Sequence, residues 1–300
     1  MNIGILSVSD QIYSTKRLYE EALKRGHEVA IINHLECSIV LSGGRKKILY
    51  EGEDIIDEFD VIIPRIGASV TTQGAAIVKE FELNEVFSTA RSLGIWRSQN
   101  KLRTLQLLNS KQLPIPDTLF SATPINLKSQ LKALGGPPVI IKLQEGTHGM
   151  GVMLAETEKS ASSIIDTLHT MNSSYLLQEF IEESKSEDIR AFVVGGEVVA
   201  AMKRKGTDDD FRSNLHRGGT AVAIKISAKE EAMAVKAAHY LGLPVAGVDM
   251  IRSKKGSLII EVNSTPGLQG IEAYARVNVA AAIIKFLESK WKSKPIKTKK

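Results

Sequence analysis

Residues 247–267, GVDMIRSKKGSLIIEVNSTPG, constrain the fold of this 300-residue chain more than any other segment. Two apolar runs flank a Lys-Lys-Gly turn, a pattern that predicts a β-hairpin. Asp249, Glu261 and Asn263 nevertheless stand inside those apolar runs. With the hairpin symmetric about Lys255, Asp249 faces Glu261, because residues equidistant from a turn pair across it. Asn263 lies two positions beyond Glu261 and emerges on the same face of the sheet. Two carboxylates directly opposite repel one another unless a cation lies between them. Three hard oxygen donors, with no Cys or His among them, suit Mg²⁺ or Mn²⁺ and not zinc. An ordinary hairpin with exposed acids is the alternative that this segment alone leaves open.

The length exceeds that of one compact core, so two or three domains are expected. A hydrophobic share of 43% and a charged share of 24% fit a globular chain and argue against long disorder. No apolar run approaches the length that crosses a bilayer, and MNIGILSVSD enters a strand pattern without the basic region of a signal peptide. The single cysteine, Cys37, excludes an internal disulfide framework. Together these place the protein in the cytoplasm, away from membranes. The net charge of +5 is concentrated at the end: Lys290, Lys292, Lys294, Lys297, Lys299 and Lys300 supply six positive charges with no acid among them, and without them the body carries −1. That distribution is not a broad nucleic-acid footprint, and direct nucleic-acid binding is not expected. The tail is read as solubilising, with attraction to an acidic or ribosomal partner as the alternative.

The first hundred residues alternate strand and helix signals. NIGILSV is a buried strand, STKRLYEEALKRG a helix with Ser14 as N-cap and Gly26 as the C′ glycine, HEVAII and FDVIIPRIG further strands, and GAAIVKEFELN a helix. This rhythm predicts a small α/β domain on a parallel sheet over residues 1–100. No G-x-G-x-x-G follows the first strand, so a dinucleotide-binding fold is not supported. The helix NKLRTLQLLNSK ends before Leu113-Pro114-Ile115-Pro116, where proline blocks propagation. Alternating helices and strands continue to SYLLQEFI near residue 181, giving a second unit over 101–181. A hairpin-rich third unit over 182–289 holds the acidic hairpin and a last helix, NVAAAIIKFLES, before a basic tail over 290–300. The fold class is α+β.

IIKLQEGTHGMGV, residues 140–152, is the second informative stretch. Lys142 stands in an apolar strand, and Gly146, Gly149 and Gly151 punctuate the turn after it. Glycines let backbone N–H groups turn toward phosphate oxygens, and a strand-borne lysine adds a fixed charge. The G-K-[ST] ending of a Walker A loop is absent; a flexible hairpin tip is the competing reading. Gln178-Glu179-Phe180-Ile181 ends a strand that can offer backbone groups to a purine, and Asp188 can accept from ribose hydroxyls; an ordinary strand end with a solvated acid is the competing reading for each. Between 203 and 219, Lys203, Arg204, Lys205, Arg212, His216 and Arg217 surround Asn214 and two glycines, a composition suited to phosphates, an acyl phosphate or a carboxylate. His216 is read as structural.

In this order, Lys101 in QNKLRTLQLL, Lys142 with EGTHGMGV, QEFI, DIR, RSNLHRGG, and GVDM with IIEVNSTPGL resemble the ATP-grasp superfamily of carboxylate–amine ligases. PRIGASVTTQGAAIVKEFE at 64–82 and DFRSNLHRGG at 210–219 resemble its RimK-like branch, over a span from Met1 to about Glu288. The resemblance implies two α+β subdomains clasping ATP, preceded by the N-terminal α/β domain. It implies that Lys101 and Lys142 hold ATP phosphates under the loop from Gly146 through Gly149 to Gly151. Glu179 and Phe180 would contact adenine and Asp188 the ribose, while Arg212, Ser213 and Asn214 reach the phosphates and the reacting acyl group. Asp249, Glu261 and Asn263 would hold Mg²⁺ or Mn²⁺, two ions in all, and Arg204 and Arg217 the carboxylates of L-glutamate.

The activity implied is addition of glutamate to the C-terminal carboxylate of a small-subunit ribosomal protein through an acyl phosphate, with Arg212, Asn214 and Lys142 as the catalytic side chains. Relatives with similar motifs use a deazaflavin coenzyme, a pterin or an amino-acid carrier protein as acceptor, and a small-molecule kinase is the reading from another class. A homo-oligomer is expected.

Overall fold

The computed structural model describes residues 1–144, 151–207, 213 and 218–292, Lys292 by its backbone. At the N-terminus β1 (Asn2–Leu6), β2 (Glu28–Ile32), β6 (Val61–Pro64) and β7 (Phe87–Ser88) form a parallel sheet in the order β2-β1-β6-β7. Ile3, Ile5, Leu6 and Val61 to Ile63 are buried without alternation, as expected where both faces of a parallel sheet are covered. Helix α1 (Tyr13–Lys24) crosses from β1 to β2. Its C′ glycine, Gly26, has φ +79° as expected, but Ser14 is not the N-cap. Ile12 occupies that position without a side-chain cap, and the buried Ser14 hydroxyl instead accepts the Leu268 N–H at 2.9 Å. A tertiary bond has claimed the group that the local pattern assigned to capping.

Between β2 and β6 lies an antiparallel ribbon that the sequence reading missed: β3 (Ser38–Ser42), β4 (Arg45–Tyr50) and β5 (Glu53–Asp54). Helices α2 (Thr71–Leu83), α3 (Ser92–Gln99) and α4 (Lys101–Ser110) follow. The next unit holds β8 (Thr118–Ser121), α5 (Leu127–Ala133), β9 (Val139–Leu143), β10 (Val152–Ala155), α6 (Glu158–Thr170) and β11 (Tyr175–Glu179), in the antiparallel order β10-β9-β11-β8. The last unit holds β12 (Glu187–Val194), β13 (Glu197–Lys205), β14 (Thr220–Ala223), α7 (Ala228–Leu241), β15 (Val245–Ser253), β16 (Gly256–Asn263), α8 (Leu268–Ala275) and α9 (Val279–Lys292). Its antiparallel sheet runs β14-β13-β12-β15-β16.

Apolar packing divides the molecule unevenly. Leu6, Ile62 and Phe81 of the N-terminal domain share one core with Ile95 of α3, Leu108 of α4, and Val248 and Ile259 of the last sheet. A second core joins Ile3, Ile5 and Val61 to Phe192 and to Ile283, Ile284 and Leu287 of α9. Arg25 reinforces that docking by gripping Glu288 at 2.8 and 2.7 Å. The central sheet keeps a core of its own, built from Leu131, Ile141, Ile165, Tyr175 and Leu177. The first and last units are thus fused through apolar contact, and the central unit stands beside them as a separate body. Among the described residues, no helix is long and apolar enough to cross a membrane.

Candidate active site

The acidic hairpin forms between β15 and β16, with Ser253 opposite Gly256 and Lys254-Lys255 as the turn. Its axis therefore falls between the two lysines and not on Lys255. A regular ladder continued from that turn would set Asp249 against Ile260. A register shift between Met250, which faces Ile259, and Asp249, which faces Glu261, restores the carboxylate pair. The extra residue is a β-bulge, a device that re-aims side chains beside active sites. Asn263 pairs with Gly247 and directs its amide nitrogen at Asp249 Oδ2, 3.5 Å away.

Two arginines from neighbouring strands hold Asp249, which is 2% exposed. Arg190 of β12 lies directly opposite in register and donates to Oδ1 at 2.8 Å and Oδ2 at 2.7 Å. Arg204 of β13 adds a contact to Oδ2 at 2.9 Å and binds both oxygens of Asp188, its own partner across the ladder. Burial pushes the Asp249 carboxyl up, but Arg190 and Arg204 outweigh it and hold the group below the usual range. Burial likewise opposes the charge on Arg204, and the Asp249 and Asp188 carboxylates reverse that to keep it above the ordinary arginine value. Asp188 and Arg204, expected at a ribose and at a substrate carboxylate, are each about 5% exposed and engaged with one another. Burial raises the Asp188 carboxyl, while Arg204 and, more weakly, Ser213 oppose that rise.

Glu261 differs from Asp249. Burial first, and then the Asp249 charge, raise its carboxyl, while Lys101, Arg190 and Lys142 pull the other way. Those lysines come from outside the last sheet. Lys142 is on β9, opposite Leu176 of β11, and donates from Nζ to Gln178 Oε1 at 2.6 Å. Gln178 is buried and is fixed in turn by donation to Thr118 Oγ1 at 2.8 Å. Burial lowers Lys142 to about 8, Lys101 adds to that lowering, and Glu261 opposes it. Lys101 begins α4 under the Asn100 cap, and its N–H donates to Gln144 O at 3.1 Å, at the mouth of the glycine loop. The central sheet and α4 therefore present two lysines to the acids of the last sheet.

Gly151 closes β9 onto β10 with φ +70°, and a Cβ there would come within 2.8 Å of Leu143 Cδ1, so the position requires glycine. Glu179 ends β11 and accepts the Asp117 N–H at 2.9 Å; Phe180 beside it is half-buried. Gly146, Gly149, Arg212, Asn214 and Arg217 lie outside the described residues, as does 293–300 of the tail. Arg190 and Gln178, which position Asp249 and Lys142, were missed in the sequence. The signal for Gln178 was a polar residue inside the apolar strand YLLQEF.

A divalent cation fits the free donors. Glu261 and the amide oxygen of Asn263 have no described hydrogen-bond partner, and Asp249 Oδ1, engaged only by Arg190 Nε, retains a lone pair. Among the described residues no cluster of three or more His, Cys, Asp or Glu suits a metal; the set here is two acids and an amide.

Two antiparallel sheets, one bringing Lys142 and the other Glu261 into electrostatic reach of each other, with Lys101 added from α4, define an ATP-grasp enzyme. Comparison with known proteins agrees. A model described as a RimK-like ATP-grasp domain matches residues 98–287, and a RimK PreATP-grasp domain matches residues 1–95. A protein of Pseudoalteromonas atlantica named probable alpha-L-glutamate ligase 1 is 50% identical over 299 residues, 100% of this chain and 98% of its own. A solved structure of the ATP-grasp ligase PsnB with its minimal precursor has a TM-score of 0.76 at 19% identity, covering 96% of this chain and 98% of its own. The RimK domain ATP-grasp protein of Sphaerobacter thermophilus gives 0.72 at 19% identity, covering 95% and 99%. The chain belongs to the RimK-like family of ATP-grasp ligases.

Proposed function

We propose that this ligase joins the amine of L-glutamate to the C-terminal carboxylate of a small-subunit ribosomal protein, cleaving ATP to ADP and phosphate. The observation that supports the chemistry is the electrostatic coupling of Lys101 and Lys142 with Glu261, a pairing of cations and an acid suited to a triphosphate and its metal. The full-length relative named as a probable alpha-L-glutamate ligase supports glutamate as the amine.

In this reading the acceptor carboxylate attacks the γ-phosphorus, the β–γ bridging bond breaks, and ADP leaves an acyl phosphate. The glutamate amine then attacks the acyl carbon and expels phosphate. Such a route needs charge neutralisation and alignment more than a protein nucleophile. Lys101 and Lys142 fix the phosphates under the loop of Gly146, Gly149 and Gly151. Glu179 and Phe180 flank adenine; Arg212, Ser213 and Asn214 reach the transferring group; Arg217 serves a glutamate carboxylate. Arg204, positioned by Asp188, helps Arg190 keep Asp249 ionised. Mg²⁺ or Mn²⁺, as two ions on Asp249, Glu261 and Asn263, would neutralise the β- and γ-oxygens. The enzyme is expected to work in the cytoplasm as a homo-oligomer.

Intact mass spectrometry of the ribosomal protein after incubation with enzyme, ATP and glutamate tests the acceptor. Increments of one glutamyl residue support it, and an unmodified protein alongside a modified small cofactor or carrier protein points to another acceptor. ADP released without any amine marks a kinase. Hydroxylamine, added with ATP and acceptor but no glutamate, traps an acyl phosphate; AMP and pyrophosphate as products exclude that intermediate.

A further inference from the structure

We infer that Arg65, in the N-terminal domain, is the receptor for a substrate carboxylate that survives the reaction. The inference deepens the ligase reading and rests on it. Arg65 directly follows β6, within the 64–82 string, and its N–H donates to Leu6 O at 2.8 Å. It therefore sits at the carboxyl edge of the parallel sheet, where open α/β sheets take their ligands. Its Nη2 donates to Pro266 O at 3.0 Å, in the turn just beyond Asn263. A Cβ on Gly247, the partner of Asn263, would lie 2.9 Å from Pro266 Cβ and 3.7 Å from Arg190 Nε. Arg65 thus reaches, through Pro266, the wall of the site where Arg190 and Asp249 meet.

Three guanidinium groups converge on this wall, and two of them are matched. Arg190 holds Asp249, and Arg204 holds Asp188 and Asp249. Arg65 is 9% exposed, its Nε has no hydrogen-bond partner, and no described residue forms an ion pair with it. Burial draws its pKa down to about 10, which leaves the group charged at neutral pH. An unpaired buried cation is costly and persists where an anion is supplied from outside. The fork is also held in advance. Ile66 is fully buried, its carbonyl accepts the Thr265 hydroxyl at 3.0 Å, and a Cβ on Gly74 would fall 2.5 Å from Ile66 Cγ2. The segment then runs into α2, whose first turn has no acid and no side-chain cap, so the helix end adds to the positive field.

A planar fork of this kind matches carboxylate and phosphate alike. In the proposed reaction the phosphates are served by Lys101 and Lys142, which leaves the carboxylate. Ligation consumes one carboxylate of the acceptor. Both carboxylates of free glutamate, and any on the acceptor's side chains, persist and need a cation.

The test compares R65Q and R65K with wild type, reading the Kd of L-glutamate and of a synthetic peptide ending in Glu-Glu by calorimetry, each with ADP and Mg²⁺ present. R65Q should weaken one of the two by about 30-fold, R65K by less, and leave the Kd of ADP within about twofold. The ligand that weakens identifies the source of the carboxylate. Replacing the recognised carboxylate by an amide, in L-glutamine or glutamate α-amide if glutamate weakens or in a peptide ending in Gln if the peptide weakens, should cost affinity in wild type and little more in R65Q, a change that a merely structural role would not produce. If R65Q does not fold, R65K alone must show at least a fivefold loss. Unchanged affinity for both carboxylate ligands, or loss confined to ADP, overturns the inference. A wild-type enzyme that binds neither glutamate nor peptide overturns the ligase reading and this inference with it.

Discussion

Arg190 grips both carboxylate oxygens of Asp249, at 2.8 and 2.7 Å, whereas Glu261, directly across the ladder from Asp249, has no described hydrogen-bond partner. The two acids of one hairpin therefore have different jobs. Asp249 is a structural counterion as well as a proposed metal ligand, and Glu261 is held in reserve.

Asp249→Asn should consequently cost folding stability and Glu261→Gln should not. Removing the Asp249 charge strands Arg190 and leaves Arg204 with Asp188 alone, a loss of about 3–5 kcal/mol by analogy with other broken buried pairs. Glu261→Gln removes a repulsion and should shift stability by less than about 1 kcal/mol, while turnover falls at least 10²-fold. Urea denaturation beside initial rates of glutamate-dependent ADP release separates the two. Equal destabilisation by both substitutions would remove the distinction.

The pairing of these acids was legible in the sequence because oxygen-bearing residues interrupt apolar runs at matched distances from a turn. Its cause was not. The turn is one half-position away from where Lys255 symmetry puts it, and the bulge at Ile259–Glu261 compensates. A bulge depends on the backbone meeting its neighbour and leaves no pattern of its own. Arg190 and Arg204 were equally hard to assign, since they meet Asp249 only through the strand order β13-β12-β15 across 59 and 45 residues of chain. Lys142 was legible because charge within an apolar strand is conspicuous, whereas Lys101, at the start of a helix, was named only through the resemblance. Arg65 was not legible, because PRIG reads as the end of a strand until its missing counterion can be seen. In the same way, Ser14 looked like a cap because Leu268, which claims its hydroxyl, is 254 residues away.

If Lys142 holds ATP phosphates as proposed, nucleotide affinity should depend on pH. Burial sets its pKa near 8 in the nucleotide-free protein, so it is charged below that value and loses its charge above it. Affinity for ATP should therefore fall as pH rises from 7 to about 9, and binding near pH 8.5 should take up a proton, because the incoming phosphates favour the charged form. Calorimetry in buffers of different ionisation enthalpy detects that proton. Lys142→Arg should flatten the profile, since arginine stays charged throughout.

Gln178 sets where that profile breaks. Its amide oxygen accepts from Lys142 Nζ at 2.6 Å and so favours the ammonium. Gln178→Leu should move the midpoint to lower pH and raise the KM for ATP by about tenfold at neutral pH, roughly the worth of one charge-assisted hydrogen bond. A profile identical to wild type would show that Lys142 does not depend on its neighbour.

Glu230 ties α7 to the acidic hairpin and gives the fold an acid limit. It completes a capping box with Ser227 and also accepts from Arg252 at 2.9 and 3.1 Å and from the Ser257 hydroxyl at 2.7 Å. The Arg252 bond, with help from Ser227 and Ser257, holds its carboxyl at about 2, against an ordinary 4.5. A depressed carboxylate contributes stability that is fully present above the unfolded value and is lost as pH falls through the folded one. The contribution should therefore disappear between about pH 4.5 and 2. Arg252 is 56% exposed, so solvent screening limits the pair and the total is about 1–2 kcal/mol. Glu230→Gln should lower stability at pH 7 by that amount and leave the difference from wild type shrinking towards pH 2. A gap that stays constant from pH 7 to 2 would mean that Glu230 works through its shape and not its charge.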